Sequence, residues 1–226
     1  MGMSLSLAQL EQFSRYYRAV VGWNARVNLT SVTQWGEVQT THFLDSLTVC
    51  LGMPSGGLGS GRLVDVGSGA GLPGVPLKIA FPSLDTTLIE STGKKTAFLR
   101  HLREILHVDL DVRTGRAETL AHDPELRERF DFVASRAVGS MSVLAELCLP
   151  FCRLGGTVIA QKKGDVKEEV ESAEGAIDVL GGRLKEVMDV SVSGLRDNRS
   201  LVLLEKVSPT PASYPRRPGV PAKRPL

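Results

Sequence analysis

Cysteine is scarce in this chain. Cys50, Cys148 and Cys152 form neither an even set nor a C-x-x-C pair, which excludes a disulfide scaffold and a cysteine-rich zinc protein. No apolar run approaches the ~18 residues of a membrane span. The opening Met1-Gly2-Met3-Ser4-Leu5-Ser6 lacks the basic and long apolar regions of a secretory signal, so the expectation is a cytoplasmic protein without membrane association. Aromatic residues make up only 5%, too few for the stacking platform of a single-strand-binding protein. Net charge is also small: 27 basic residues against 25 acidic ones give +2. Residues 207–226 hold Arg216, Arg217, Lys223 and Arg224 and no acid, so the remainder carries −2 and the positive excess lies in the tail.

What is present belongs to an ordinary globular protein: 226 residues, 42% hydrophobic and 23% charged, enough for one α/β domain with an elaboration. Ser6 and Gln9 read as a capping box opening an amphipathic helix through Leu7, Leu10, Phe13, Tyr17 and Val20 to about Gly22. A second helix is expected over Thr41 to Leu51, and the glycine-rich stretch from Met53 to Gly61 reads as a linker. Thereafter short apolar runs alternate with helical patterns, the mark of a parallel sheet flanked by helices. Strands are expected at Leu63–Val66, Thr86–Glu90, Leu110–Arg113, Phe132–Ser135 and Thr157–Gln161. Helices are expected near Val75–Phe81, Lys94–Leu106, Pro124–Arg129, Met141–Leu149 and Val166–Leu180. Glu186–Val192 and Ser200–Lys206, joined by a turn too short for a helical crossover, should pair antiparallel at one edge of the sheet. The tail holds six of the twelve prolines and reads as an extended basic strap, neither helix nor central strand.

After the first strand comes Val64-Asp65-Val66-Gly67-Ser68-Gly69-Ala70-Gly71-Leu72-Pro73-Gly74. Glycines allow a tight turn and close backbone approach, and the following helix offers unpaired N–H groups, so a nucleotide-like ligand is implied over a purely structural turn. Gly69, Gly71 and Gly74 also spell G-x-G-x-x-G, which keeps an NAD-dependent oxidoreductase in view. Two acids separate the ligands. Asp65 lies two residues before Gly67, where its carboxylate can reach a cationic amino group, a contact of use to S-adenosylmethionine and of none to a pyrophosphate. Glu90 ends the second strand, where a carboxylate accepts the hydrogen bonds of a ribose diol. Gly93-Lys94 lacks the earlier glycine of a P-loop. The expected fold is therefore a Rossmann-like, doubly wound, seven-stranded S-adenosylmethionine-dependent methyltransferase with an N-terminal helical cap. Its segments are 1–52 for the cap, 62–206 for the cofactor-binding domain and 207–226 for the tail.

Asn28-Leu29-Thr30, His42-Phe43-Leu44-Asp45-Ser46, the glycine run through Leu72-Pro73-Gly74, Gly115-Arg116-Ala117-Glu118, Ser135-Arg136-Ala137 and Lys163-Gly164 resemble the RsmG (GidB) family of bacterial rRNA methyltransferases. The resemblance runs from about residue 10 into the basic tail. It implies transfer of a methyl group from S-adenosylmethionine to N7 of one guanine in 16S rRNA, with naked rRNA or a small-subunit assembly particle as substrate. It also implies that Gly67, Leu72, Ala117, Glu118 and Arg136 line the cofactor pocket, with Ala117 and Glu118 bracketing the adenine.

Guanine N7 presents an in-plane lone pair and no proton, so no general base is expected. Arg136 and Lys163 are the candidates on the target side. Arg136 suits either the cofactor carboxylate or the target base, and a structural ion pair is its plainer alternative. The Asn/Asp-Pro-Pro-aromatic motif of exocyclic-amine methyltransferases is missing after the fourth strand. Cys148 and Cys152 read as core residues. His42, Asp45 and Ser46 contain triad residue types, but they are expected to brace the front piece against the glycine loop. Lys94, Lys95, Arg100 and Arg103 on one helix, and Arg196 and Arg199 in the hairpin turn, are available to RNA phosphates. No metal site or protein partner is indicated. An RNA-binding assembly factor that keeps a cofactor fold without catalysis remains the non-enzymatic alternative. Removing residues 208–226 is expected to leave cofactor binding intact.

Overall fold

The computed structural model of the chain describes residues 2–54, 60–195 and 198–226. Residues 55–59 of the glycine-rich linker, together with Arg196 and Asp197, lie outside the described residues.

Helix α1 (Leu7–Val27) starts on the capping box: Ser6 Oγ accepts the Gln9 N–H at 3.3 Å, and Gln9 Oε1 accepts the Ser6 N–H at 2.8 Å. It runs past Gly22, a correction to the expected end. The stop is Asn28 in the left-handed region (φ 51°), where Asn24 Oδ1 accepts the Leu29 and Thr30 N–H groups at 2.7 and 2.9 Å. The next helical run begins earlier than expected. It consists of α2 (Trp35–Glu37), a π-helical stretch (Val38–Leu44), α3 (Asp45–Leu47) and a 3-10 turn (Thr48–Gly52).

The remaining elements, in chain order, are β1 (Arg62–Val66), α4 (Gly74–Ala80), β2 (Asp85–Glu90), α5 (Gly93–Leu106), β3 (Leu110–Thr114) and α6 (Ala117–Leu120). They continue with β4 (Phe130–Arg136), α7 (Met141–Cys148), β5 (Cys152–Lys163), α8 (Lys167–Ser172), α9 (Glu174–Val179), β6 (Gly182–Val190), β7 (Arg199–Lys206) and α10 (Val220–Lys223). Two expected helices need correction. Pro124–Arg129 is a set of turns, with Asp123 Oδ1 accepting the Glu125 N–H at 2.9 Å and Glu128 left-handed at φ 53°. Val166–Leu180 is two short helices that meet at Ala173.

The strands form one seven-stranded sheet in the order β3-β2-β1-β4-β5-β7-β6. All pair in parallel through β5, and β7 is antiparallel to both β5 and β6. The order reverses between β1 and β4, which opens a crevice at the carboxyl ends of those strands. The buried face of α1, carrying Phe13, Tyr16, Ala19 and Val20, shares one apolar cluster with Phe98, Leu99 and Leu102 of α5 and Val75 and Ile79 of α4. The Phe43 ring lies 5.0 Å from Phe13 and 5.1 Å from Tyr16. On the opposite face α6, α7 and α9 cover β4, β5 and β7. Cys50, Cys148 and Cys152 are free and buried; burial pushes the Cys148 thiol well up and Cys152 to about 12, which suits packing and not nucleophilic work.

Residues 207–226 do form a strap, but not a wholly extended one. Val220–Lys223 makes a helical turn, tolerated because Pro221 falls in its first turn, where a proline loses no intrahelical bond. The strap is stitched to the body. Lys206 Nζ, in a side chain with no exposure, donates to Leu149 O at 3.1 Å, to Leu180 O at 3.3 Å and to Thr210 Oγ1, and it pairs with Glu128 at 3.3 Å. Glu128 Oε1 accepts the Thr210 N–H at 2.7 Å, Arg127 donates to Thr210 O and Tyr214 O, and Arg216 forks onto Glu146.

Candidate active site

The loop after β1 places glycines where the backbone demands them. Gly67, Gly69 and Gly71 have φ of 79°, 55° and 92°. A Cβ at Gly69 would meet only Gly67 O, at 3.8 Å, so the backbone there is open to a ligand. Gly71 and Gly74 serve packing instead. A Cβ at Gly71 would stand 2.8 Å from Val75 Cγ2 and 2.9 Å from Tyr16 Oη, and one at Gly74 would collide with Leu88 Cδ2. Leu72 is likewise buried in the cluster between α1 and the sheet. The loop is tied to β2 by the Gly67 and Ser68 N–H groups, which donate to Ile89 O at 2.9 and 3.0 Å. From α1, Tyr16 donates its hydroxyl to Ala70 O at 2.6 Å. Sequence reasoning missed that contact; the available signal was an aromatic hydroxyl on a core-facing helical position, which must find a partner when buried.

The two acids flank this loop in different ways. Glu90 is 7% exposed; Oε2 accepts the Gly69 N–H at 3.1 Å and Oε1 accepts the Thr92 N–H at 2.7 Å. Each oxygen keeps acceptor capacity, so the carboxylate is held in place for a diol. Asp65 departs from expectation. Its side chain is fully buried beneath the loop, where the Gly74 N–H donates to Oδ2 at 2.9 Å. Among the described residues Oδ1 has no hydrogen-bond partner, and burial pushes the carboxyl up to about 7 against the opposing pull of the Gly74 N–H and the Arg136 charge. A cofactor carrying both a ribose and a cation fits this set: a fixed diol acceptor, an open glycine backbone and a buried carboxylate oxygen without a partner.

Arg136 ends β4 one residue beyond Ser135, whose hydroxyl donates to Val66 O at 3.0 Å, so β4 brings it beside the glycine loop. Nη1 donates to Thr41 O at 3.1 Å and to Asp45 Oδ2 at 3.0 Å. Asp45, with a side chain 4% exposed, also accepts Arg199 Nε on Oδ1 at 2.9 Å, while Gln161 Nε2 donates to Asp45 O at 2.7 Å. The ion pair thus exists, and among the described residues it leaves Nε and Nη2 of Arg136 without partners. His42, Asp45 and Ser46 form no triad: Asp45 serves two arginines, Ser46 donates to His42 O, and His42 Nε2 meets Thr30 Oγ1 at 2.8 Å. Burial lowers the pKa of His42.

Ala117 and Glu118 open α6 just after β3. Glu118 is buried and its Oε1 accepts the Gly219 N–H of the strap at 2.9 Å, so the tail reaches this end of the crevice. Lys163 stands exposed at the end of β5, and its neighbour Lys162 pairs with Glu169 at 2.7 Å. Of the cations expected to face RNA, Arg199 is held by Asp45, Arg100 donates to Thr114 Oγ1 at 2.8 Å, and Arg196 lies outside the described residues. Among the described residues no helix is long and apolar enough to cross a membrane, and no cluster of three metal-binding side chains occurs.

Solved structures share this architecture at low identity. A fibrillarin pre-rRNA processing protein of Methanococcus jannaschii aligns with TM-score 0.52 and 14% identity, covering 67% of this chain and 69% of its own. The TYW2 protein of M. jannaschii in complex with AdoMet aligns with TM-score 0.53 and 13% identity, covering 77% and 78%. At such identity they show the fold alone. Sequence relatives are much nearer. Proteins named ribosomal RNA small subunit methyltransferase G from Dehalococcoides mccartyi and Roseiflexus sp. are each 49% identical over 100% of this chain and 95% of their own length. A family model described as rRNA small subunit methyltransferase G matches residues 9–202. With that match and those full-length relatives, the chain belongs to the GidB family of small-subunit rRNA methyltransferases G.

Proposed function

We propose that this protein transfers a methyl group from S-adenosylmethionine to N7 of one guanine in the 16S rRNA of the small ribosomal subunit. The observation that carries the reading is the full-length kinship with relatives named for small-subunit rRNA methylation. The bound cofactor supplies an electrophilic methyl group on a sulfonium centre. The rest is the work of this chain. Glu90, fixed by two backbone N–H groups, accepts the ribose hydroxyls. The open backbone at Gly69 admits the ligand close to the loop, and Leu72, buried behind it, keeps its wall apolar. The ionised Asp65 carboxylate favours a cation above it. Ala117 and Glu118 flank the adenine, with Glu118 oriented by Gly219. Arg136, tied down through Nη1, offers its remaining nitrogens to an anion or to the base edge, and Lys163 meets a phosphate at the same rim.

Because guanine N7 has no proton, these residues need only hold the base and the donor in line, and alignment supplies the rate. The test joins calorimetry with S-adenosylhomocysteine and NAD to transfer of labelled methyl groups into deproteinised 16S rRNA and into small subunits. The site of transfer is mapped by borohydride and aniline cleavage, which cuts at 7-methylguanosine. Binding of S-adenosylhomocysteine without NAD, and label at a single cleavable guanine, is the expected result; the better of the two substrates identifies the natural one. Binding of NAD alone, RNA binding without transfer, or label resistant to cleavage overturns the proposal.

A further inference from the structure

The outer flank of α1 faces α5 across a groove of about 770 Å³ that the crevice above does not include. Nine of the described residues line it, and none of these is acidic. Arg15, Arg18 and Arg26 stand along one wall and His101 on the other, with Trp23 as the apolar floor, 5.3 Å from the His101 ring and 5.6 Å from Phe98. Arg15 is shared with Glu11 at 3.1 Å and Arg18 with Ser14 at 3.4 Å, both on the exposed surface, and Arg26 has no partner among the described residues. Along the helix the three arginines span about 16 Å, room for about five nucleotides of a stacked strand.

A second observation is Gly22, in the groove and in the interior of α1. Glycine there costs helix stability relative to alanine. Nothing within the protein requires it, since an added Cβ would meet no atom within 4 Å. The residue keeps the floor open at the point where Trp23 is reached. The groove also leads to the crevice. Gln12 Nε2 donates to Leu106 O at 2.8 Å, which pins the start of α1 to the end of α5, so the Arg26 end lies toward the beginning of α5 and the Glu90 rim.

We infer that the groove between α1 and α5 is a docking channel for the phosphate backbone of the rRNA substrate, with Trp23 and His101 as a ledge for one unpaired base. The inference rests on the rRNA reading above and adds a surface outside the glycine loop and its crevice. Charge complementarity selects the occupant: a wall that carries three arginines, with Glu11 offsetting only Arg15, beside an aromatic floor suits a polyanion that carries flat rings.

Three variants test it on the full-length protein with deproteinised 16S rRNA. Gly22→Glu puts an acid on the floor without touching the core, Arg18→Gln with Arg26→Gln removes two phosphate partners, and Gly22→Ala controls for the fold. Gly22→Glu should raise KM for RNA about tenfold or more while kcat at saturating RNA and the Kd for S-adenosylhomocysteine stay unchanged. The arginine pair should lower the slope of log affinity against log salt by about 1.4 to 1.8. Gly22→Ala should keep the wild-type kcat and Kd for S-adenosylhomocysteine and melt no lower than the wild type, with a KM for RNA between those of the wild type and Gly22→Glu. A wild type that methylates 16S rRNA, beside Gly22→Glu with unaltered KM or an arginine pair with unaltered slope, overturns the groove alone. A wild type that binds S-adenosylhomocysteine but neither binds nor methylates the RNA overturns the rRNA reading and the groove with it.

Discussion

Arg216→Ala isolates the strongest stitch of the C-terminal strap. The Glu146 side chain has no exposure, and it receives Arg216 through Nε at 2.9 and 3.1 Å, through Nη2 at 2.6 Å and through the backbone N–H at 2.8 Å. Only the backbone bond survives the substitution. Removing one partner of a buried ion pair costs about 3 to 5 kcal/mol, because the remaining charge keeps its desolvation penalty. Arg216 is itself 26% exposed, so water can reach part of the vacated space and the lower end, about 3 kcal/mol, is expected. For a domain of this size each kcal/mol moves Tm by about 2 to 4 °C, so the midpoint should fall by about 6 to 12 °C. Adding Glu146→Gln removes the stranded charge and should recover about half of the loss. Urea and thermal unfolding followed by circular dichroism measure both variants, with the urea slope checking that the unfolded state is unchanged. A loss below about 1 kcal/mol, or no recovery in the double variant, would refute the assignment of the pair as a buried anchor.

Four further outcomes are expected. Asp65 titrates near 7 in the folded protein against 3.8 for an ordinary solvated aspartate, so between those values the native state holds a proton that the unfolded chain has released, and stability of the ligand-free protein should fall as pH rises through that window; Asp65→Asn should flatten the curve, and parallel curves would contradict the burial argument. For the same reason KM for S-adenosylmethionine should rise as pH drops from about 7.5 to 6, while single-turnover kcat at saturation stays flat because N7 releases no proton; a tenfold rise of kcat per pH unit would point to a general base. Deleting residues 208–226 strands Glu146, uncaps Lys206 and frees Glu118, so cofactor affinity measured by calorimetry should fall together with Tm, contrary to the expectation from sequence. With Arg216 occupied, only Arg217, Lys223 and Arg224 are left to contribute to the salt slope, so a drop equal to four phosphate contacts would refute the Arg216 placement.

The inner strands β1, β2 and β4 were legible because each is a short buried apolar run, β5 and β6 begin five and four residues before their expected starts because their first residues are largely exposed, and the antiparallel final pair followed from a connection too short to cross the sheet. The family was legible from local motifs, and the comparisons agree with it. Boundaries failed where a local signal had two meanings. Gly22 looked like a helix stop, whereas Asn28 with Asn24 performs that task, and Ala173, an ordinary helix former, marks a break that tertiary packing imposes. In the site, the glycine loop and Glu90 could be read because their geometry is built by neighbours in sequence. The Asp45 pairings could not, since Arg136 and Arg199 lie 91 and 154 residues away, and the inward turn of Asp65 depends on a backbone N–H nine residues on.

The position of β7 bears on how the protein is made. It follows every other strand in sequence yet lies inside the sheet, between β5 and β6. Until residues 199–206 leave the ribosome, β5 shows an open edge around Val158, Ile159 and Ala160, all of them buried in the finished molecule, and β6 has no strand to pair with. At about 5 to 20 residues per second that exposure lasts seconds, long enough for a chaperone or a second nascent chain to meet the edge. A chain stalled before Arg199 is therefore an unfinished sheet prone to association, and not a smaller enzyme.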